Sequence, residues 1–127
     1  MIQGQSSVSV ASQGLAPWQA KRVEGLVAER LSSQIQVWEL AQVARLSPAH
    51  FSRGFKVLFG ASPRVWIGWQ RVRQAQRMML ETQDSLGHIA LDCGFSDQAH
   101  FTNVFRRTTG TTPGAWRRAK RAGRQAL

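Results

Sequence analysis

The sequence repeats itself once. The stretch LAQVARLSPAHFSRGFKVLFGASPRVW from Leu40 aligns with IALDCGFSDQAHFTNVFRRTTGTTPGAW from Ile89. Ala41, Leu46 and Ser47 recur as Ala90, Phe95 and Ser96, 49 residues on. After one inserted residue, His50, Phe51, Phe55, Gly60, Pro63 and Trp66 recur as His100, Phe101, Phe105, Gly110, Pro113 and Trp116, 50 residues on. Self-similarity at a fixed period means one structural unit used twice. Two copies are too few for a solenoid, so a bilobed chain is expected.

Between the copies lies a stretch expected to be helical from Ser62 to Glu81. At 100° per residue, Val65, Trp69, Val72, Ala75 and Met79 form one apolar stripe, and Ile67 and Met78 fall on a second arc. Gln70, Gln74, Arg73 and Arg77 share the polar side. A helix with two apolar arcs can pack against two bodies at once, which makes it a spacer between lobes. The same pattern also suits an ordinary core helix of a single domain.

Each copy carries two short helical patterns broken by a turn. In the first, a helix from about Gln36 carries Val37, Leu40, Ala41 and Ala44, ends near Arg45 and turns at Leu46, and Ser47 caps the next helix. In the second, Leu86, Ile89, Ala90 and Cys93 are followed by Gly94-Phe95, with Ser96 expected as the cap. This is the layout of a helix-turn-helix, whose second helix enters the major groove of DNA. Gly94 stands where the turn wants a positive φ, which glycine adopts freely. Arg45 stands there in the first copy, at a cost of about 1 kcal/mol if the turn is the same.

The two second helices, expected over Ser47 to Phe59 and Asp97 to Thr108, each bury a phenylalanine pair four residues apart. Phe51 and Phe55 leave Ala49, Ser52, Arg53 and Lys56 outward; Phe101 and Phe105 leave Gln98, Ala99, Thr102, Asn103 and Arg106. Arg53 is the strongest candidate base reader, since a bidentate pair with guanine is the commonest specific contact. Gln98 and Asn103 carry the amide chemistry that pairs with adenine. Lys56 and Arg64, with Thr102, Arg106 and Arg107 in the second copy, are the expected phosphate partners, which position a protein without reading sequence. His50 and His100 precede a core phenylalanine in each copy and suit a structural role or a phosphate contact, because no carboxylate or cysteine completes a metal ligand set.

Composition narrows the partner. Lys and Arg number 17 against 7 acids, a net charge of +10, and 14 of the 17 are Arg, the side chain suited to phosphate and guanine. There is no secretory signal and no apolar run long enough to span a membrane. The single cysteine, Cys93, excludes an internal disulfide; it takes the place of Ala44 in the repeat and is expected to be buried. A cytoplasmic protein follows. All four prolines, Pro17, Pro48, Pro63 and Pro113, stand where a helix opens, and Val23, Leu26, Val27 and Leu31 give the first helix its apolar face. No strand pattern competes, so the fold class is all-α.

The ends read differently. Residues 1–16, rich in Ser, Gln and Gly, are expected to be a flexible leader or interdomain linker. Beyond Trp116, Arg117, Arg118, Lys120, Arg121 and Arg124 form a basic tail expected to be solvated and to add non-specific DNA affinity, with residues 119–127 outside the domain proper.

The pattern LAQVARLSPAHFSRGFKVLFGASPRVWI, then RVRQAQRMML, then LGHIALDCGFSDQAHFTNVFRRTTGTTPGAWRR, resembles the AraC/XylS family of bacterial transcription regulators, from about Pro17 to Arg118. The resemblance implies about seven helices: a first helix-turn-helix lobe over about 17–61, a linker helix over about 62–81 and a second lobe over about 84–118. It places the base-reading positions on Ala49, Ser52 and Arg53 in the first lobe and on Gln98, Ala99 and Asn103 in the second. The chain departs from the family where Asn103 replaces a frequent arginine, Arg45 a glycine, and Trp66 and Trp116 tyrosines. Trp38 and Trp69 occupy positions that are expected to be polar.

The resulting reading is a sequence-specific regulator of double-stranded DNA, nucleoid-associated, that inserts two recognition helices into successive major-groove segments. By the family's habit it is an activator working through RNA polymerase. An effector or dimerisation domain is expected to be absent from this chain, as in a short member or a fragment of a larger regulator. The alternative is an architectural nucleic-acid binder that uses charge without reading sequence, although the exposed aromatic platform of single-strand binders is lacking. No nucleophile stands beside a base, and there is no HExxH motif or phosphate loop, so catalysis, cofactors and metals are not expected.

Overall fold

A computed structural model describes residues 14–126. Most of the expected leader, residues 1–13, lies outside them. The described residues form seven helices and no strand: α1 (Pro17–Glu29), α2 (Val37–Val43), α3 (Pro48–Phe59), α4 (Pro63–Glu81), α5 (Leu86–Asp92), α6 (Gln98–Thr109) and α7 (Pro113–Ala126). Each proline opens its helix as the sequence predicts, at a position where the missing N–H has no intrahelical acceptor to lose. The all-α fold with two helix-turn-helix units follows.

The described residues divide into two compact units, one made of those up to Arg30 with Gln34–Ile67, the other of Leu31–Ser33 with those from Gly68 onward. In the first unit α1 buries Ala20, Val23 and Val27, α2 buries Leu40 and Ala41 and packs on both α1 and α3, and α3 buries the Phe51 and Phe55 pair. Each fully buried phenylalanine contributes roughly 1.5–3 kcal/mol of transfer free energy. Trp66 meets Phe55 edge-on, at 5.6 Å between centroids and 76° between planes. Polar groups close the seams. Gln19 Nε2 donates to the Ala44 carbonyl at 2.8 Å, satisfying the C-terminal end of α2, and Arg30 pairs with Glu39. The Gln36 backbone N–H and then the Arg30 guanidinium hold the Glu39 carboxyl below the usual carboxylate range. Leu15 is buried and the Ala16 N–H donates to Gln19 Oε1 at 2.8 Å, so the described end of the leader packs onto the fold.

The second unit repeats this plan around Val72, Ala75 and Met79 of α4, Ile89 and Ala90 of α5, and the Phe101 and Phe105 pair of α6. Trp116 meets Phe105 edge-on at 5.9 Å and 73°, the counterpart of Trp66 on Phe55. Cys93 is fully buried with Sγ 3.7 Å from Met78 Sδ; burial, then the neighbouring Asp92, pushes its thiol up to about 11.

Two expectations are corrected here. The apolar stripe of α4 does not stay buried along its length: Val65 is 50% exposed and Trp69 38%, while Ile67 is buried in the first unit and Val72, Ala75 and Met79 in the second. Met78, expected on the other arc, packs beside these three. Burial of each turn is set by what lies on it, and no described residue covers Val65 or Trp69 fully.

The basic stretch is also not solvated throughout: it lies on α7, which runs to Ala126, and although Arg118, Lys120 and Arg124 are exposed, Arg117 and Arg121 are partly buried. α4 ends at Glu81, and its last carbonyls lack intrahelical partners. Arg117 donates to three carbonyls there, from Nε to Met79 at 3.0 Å, from Nη2 to Thr82 at 2.7 Å and from Nη1 to Asp84 at 2.7 Å. Arg121 adds a bond to the Thr82 carbonyl at 2.9 Å. Cations at a helix C-terminus also complement its dipole.

Candidate nucleic-acid interface

The turn from α2 to α3 and the turn from α5 to α6 share one hydrogen-bond pattern. Leu46 N–H donates to the Ala41 carbonyl at 3.0 Å and Arg45 N–H to Gln42 at 3.0 Å; Phe95 N–H donates to Ala90 at 3.0 Å and Gly94 N–H to Leu91 at 3.1 Å. Both are Schellman closures, which require a left-handed residue just past the helix. Gly94 adopts φ 89° and Arg45, against its preference, φ 60°. Gly94 has a second reason to be glycine: a Cβ there would lie 2.3 Å from the Leu31 carbonyl oxygen and 2.7 Å from Arg71 Nε. Arg71 fills that space to donate from Nε to Leu31 at 3.1 Å and from Nη2 to the Ser33 carbonyl at 2.8 Å.

The helices that follow are capped one residue apart in the repeat. Ser47 Oγ accepts from His50 N–H at 3.3 Å, as expected. In the second unit the cap is Asp97, whose Oδ1 accepts from His100 N–H at 2.7 Å, and not the expected Ser96. A cap must stand three residues before the amide it receives, and the inserted residue pushes Ser96 one position too far back. The helices end alike, with Gly60 at φ 78° and Gly110 at φ 85°.

Packing then determines which side faces out. With Phe51 and Phe55 buried, Ala49, Arg53 and Lys56 of α3 are exposed and Ser52 is partly so; Arg64 is exposed in the first turn of α4. With Phe101 and Phe105 buried, Gln98, Ala99, Asn103, Arg106 and Arg107 of α6 are exposed and Thr102 is partly so. The repeat pairs Arg53 with Asn103, Ser52 with Thr102, Ala49 with Ala99 and Lys56 with Arg106. The side chains of Arg53, Lys56, Arg64, Arg106 and Arg107 make no hydrogen bond or ion pair with a described residue, leaving their donors for a ligand. Within each unit the predicted residues are therefore gathered on one helix-turn-helix.

Other arginines serve structure. Arg71 and Arg117 are bound to backbone carbonyls, and burial lowers the pKa of each guanidinium from its ordinary value. Their role left no sequence signal beyond a cationic residue in an otherwise apolar register: Arg117 stands where the first copy has Ile67. Among the described residues no three His, Cys, Asp or Glu side chains gather as a metal site. An open groove of about 310 Å³ in the first unit, lined by Arg22, Leu26, Glu29, Gln42, Val43 and Arg45 among others, brings no nucleophile beside a base.

Residues 40–119 match the helix-turn-helix domain family. The chain is 36% identical over 89 residues to the virulence regulon transcriptional activator VirF of Yersinia enterocolitica, an alignment covering 68% of this chain and 33% of VirF. It is 32% identical over 103 residues to the transcriptional regulator ExsA of Pseudomonas aeruginosa, covering 79% of this chain and 37% of ExsA. This chain thus spans about a third of the length of these relatives. Its fold matches the DNA-binding domain of the global transcriptional factor AdpA, solved in complex with a target DNA, with TM-score 0.78 and 37% identity over 83% of this chain and 95% of that one. An AraC-type DNA-binding-domain regulator from Chromobacterium violaceum matches with TM-score 0.74 and 26% identity over 82% and 92% of the two chains. No described helix is long and apolar enough to cross a membrane.

Proposed function

Because the chain belongs to the AraC/XylS family of transcription regulators and carries its DNA-binding domain, we propose that it reads double-stranded DNA in a sequence-specific way. α3 and α6 enter successive major-groove segments, and the bound protein activates transcription through RNA polymerase in the cytoplasm. One observation carries this reading: in both units a buried phenylalanine pair fixes the second helix so that its polar side faces outward, with cationic side chains that no described residue engages. Ala49, Ser52 and Arg53, with Gln98, Ala99 and Asn103, meet base edges. Lys56, Arg64, Thr102, Arg106 and Arg107 meet phosphates. Ala49 and Ala99 reach no further than a thymine methyl.

Selection of binding sites from a random duplex pool by the purified chain tests the reading. The expected result is one asymmetric site with two short elements, since two different helices in one chain read two different sequences. Tight binding without enrichment would instead support the architectural alternative. On the selected site, Arg53→Ala removes discrimination worth about 1–3 kcal/mol at one base position and leaves the others intact. Asn103→Ala, at the equivalent place, relaxes a position in the other element. An unchanged base preference in the Arg53 variant would remove that residue from base readout.

A further inference from the structure

The two histidines of the repeat are not held alike. His50 has a ring with no hydrogen bond to any described residue. The ring of His100 is held by three contacts: Ser96 N–H donates to Nδ1 at 3.3 Å, Ser96 Oγ stands 3.2 Å from the same nitrogen, and Phe95 meets the ring edge-on at 5.5 Å and 78°. The backbone of His100 is pinned as well, through its N–H to Asp97 Oδ1. Accepting a backbone N–H requires a lone pair on Nδ1, so the neutral ring carries its proton on Nε2. That nitrogen has no partner among the described residues, although the residue is exposed.

We propose that His100 Nε2 donates to a DNA phosphate oxygen at the start of α6, and that Ser96 is the positioning residue that orients it. The proposal rests on the DNA-binding reading above and adds a contact that the repeat alone does not supply, since the counterpart of His100 lacks the orienting serine. A single donor without an adjacent acceptor suits an anionic oxygen, whereas base edges are read by paired donors and acceptors. The position is in the first turn of α6, where the helix dipole adds attraction for an anion. Ordering the ring in the free protein removes part of the entropy cost of the contact. The shifted cap and the orienting serine have one cause: the inserted residue that disqualifies Ser96 as a cap sets it one turn before His100.

The test compares wild type, H100A, H100Q and S96A on the selected duplex, on a mixed-sequence duplex, and on a series of selected duplexes with one phosphate replaced by methylphosphonate. H100A is expected to weaken both unmodified duplexes by about tenfold, the scale of a hydrogen bond to a charged group. Base preference stays unchanged, because a phosphate contact carries no sequence information. H100Q, which keeps a donor near the Nε2 position, retains most of the affinity, and S96A loses about threefold. One methylphosphonate that weakens the wild type has no further effect on H100A. Equal binding by H100A and wild type, or equal sensitivity to every methylphosphonate, would overturn the assignment while leaving DNA binding intact. A wild type that binds no duplex would overturn the DNA-binding reading and this contact with it. The exposed side chain leaves the fold unaltered, which matching melting temperatures verify.

Discussion

The two units close their helix-turn-helix with the same backbone and opposite residues. Arg45 and Gly94 both take a left-handed φ, and the hydrogen bonds around them coincide to about a tenth of an ångström. Beneath Gly94, however, Arg71 and the Leu31 carbonyl occupy the volume of a side chain, whereas Arg45 points into solvent beside an open groove. The sequence signature of such a turn thus combines two demands of different size. The left-handed conformation costs an L-residue about 1 kcal/mol, which the first unit tolerates; the close approach admits no Cβ at all. The same contrast recurs at Ile67 and Arg117, equivalent positions of which one is buried among apolar groups and the other is bound to three carbonyls.

Substitutions at these paired positions would break the comparison most sharply. Gly94→Ala is expected to destabilise the chain by about 3 kcal/mol or more, because backbone and a bound guanidinium must move as well as φ. Arg45→Gly is expected to stabilise it by up to about 1 kcal/mol. Urea unfolding measures both, and a Gly94→Ala loss no larger than the conformational cost would refute the packing account. Next in size, Ile67→Ala should cost about 3 kcal/mol through the cavity it leaves, and Arg117→Ala about 2 kcal/mol through orphaned carbonyls at and just past the end of α4. A solvated arginine at position 117 would make the second change silent.

Smaller effects sharpen the capping difference. Ser47→Ala and Asp97→Ala should each cost about 1 kcal/mol in thermal unfolding. Ser96→Ala should cost clearly less, since Ser96 caps no helix; equal losses at Ser96 and Asp97 would contradict the assignment. The smallest effect is acidic and belongs to the first unit alone. The folded state lowers the Glu39 pKa, so its contribution is present above the ordinary carboxylate value and is lost as pH falls through the depressed one. Glu39→Gln should flatten this acid limb of the stability curve measured from pH 7 downward.

Much of this was legible from the repeat. Two copies of one pattern identify the phenylalanine pairs, the tryptophans that cover them, the helix-opening prolines and the faces left outward, because each is set by spacing within one short unit. What escaped was non-local. The partners of Arg117 lie 33 to 38 residues earlier in the chain, at a helix end whose unmet carbonyls no local pattern announces. The second reason for Gly94 depends on Arg71 and Leu31, which belong to neither copy of the repeat. The burial of α4 failed at Val65 and Trp69 since periodicity names a face without saying what covers it. The cap at Asp97 was within reach, because the inserted residue could have been placed before the helix by counting back three from His100.

Cys93 gives the molecule a built-in clock. It is the sole thiol of the chain, fully enclosed in the second unit and held protonated at neutral pH, while its counterpart in the first unit is Ala44, which reacts with nothing. A thiol-directed alkylating reagent can therefore reach the Cys93 sulfur only when the second unit opens. The rate of labelling in native buffer then reports the opening free energy of that half of the chain, unmixed with fluctuations of the other.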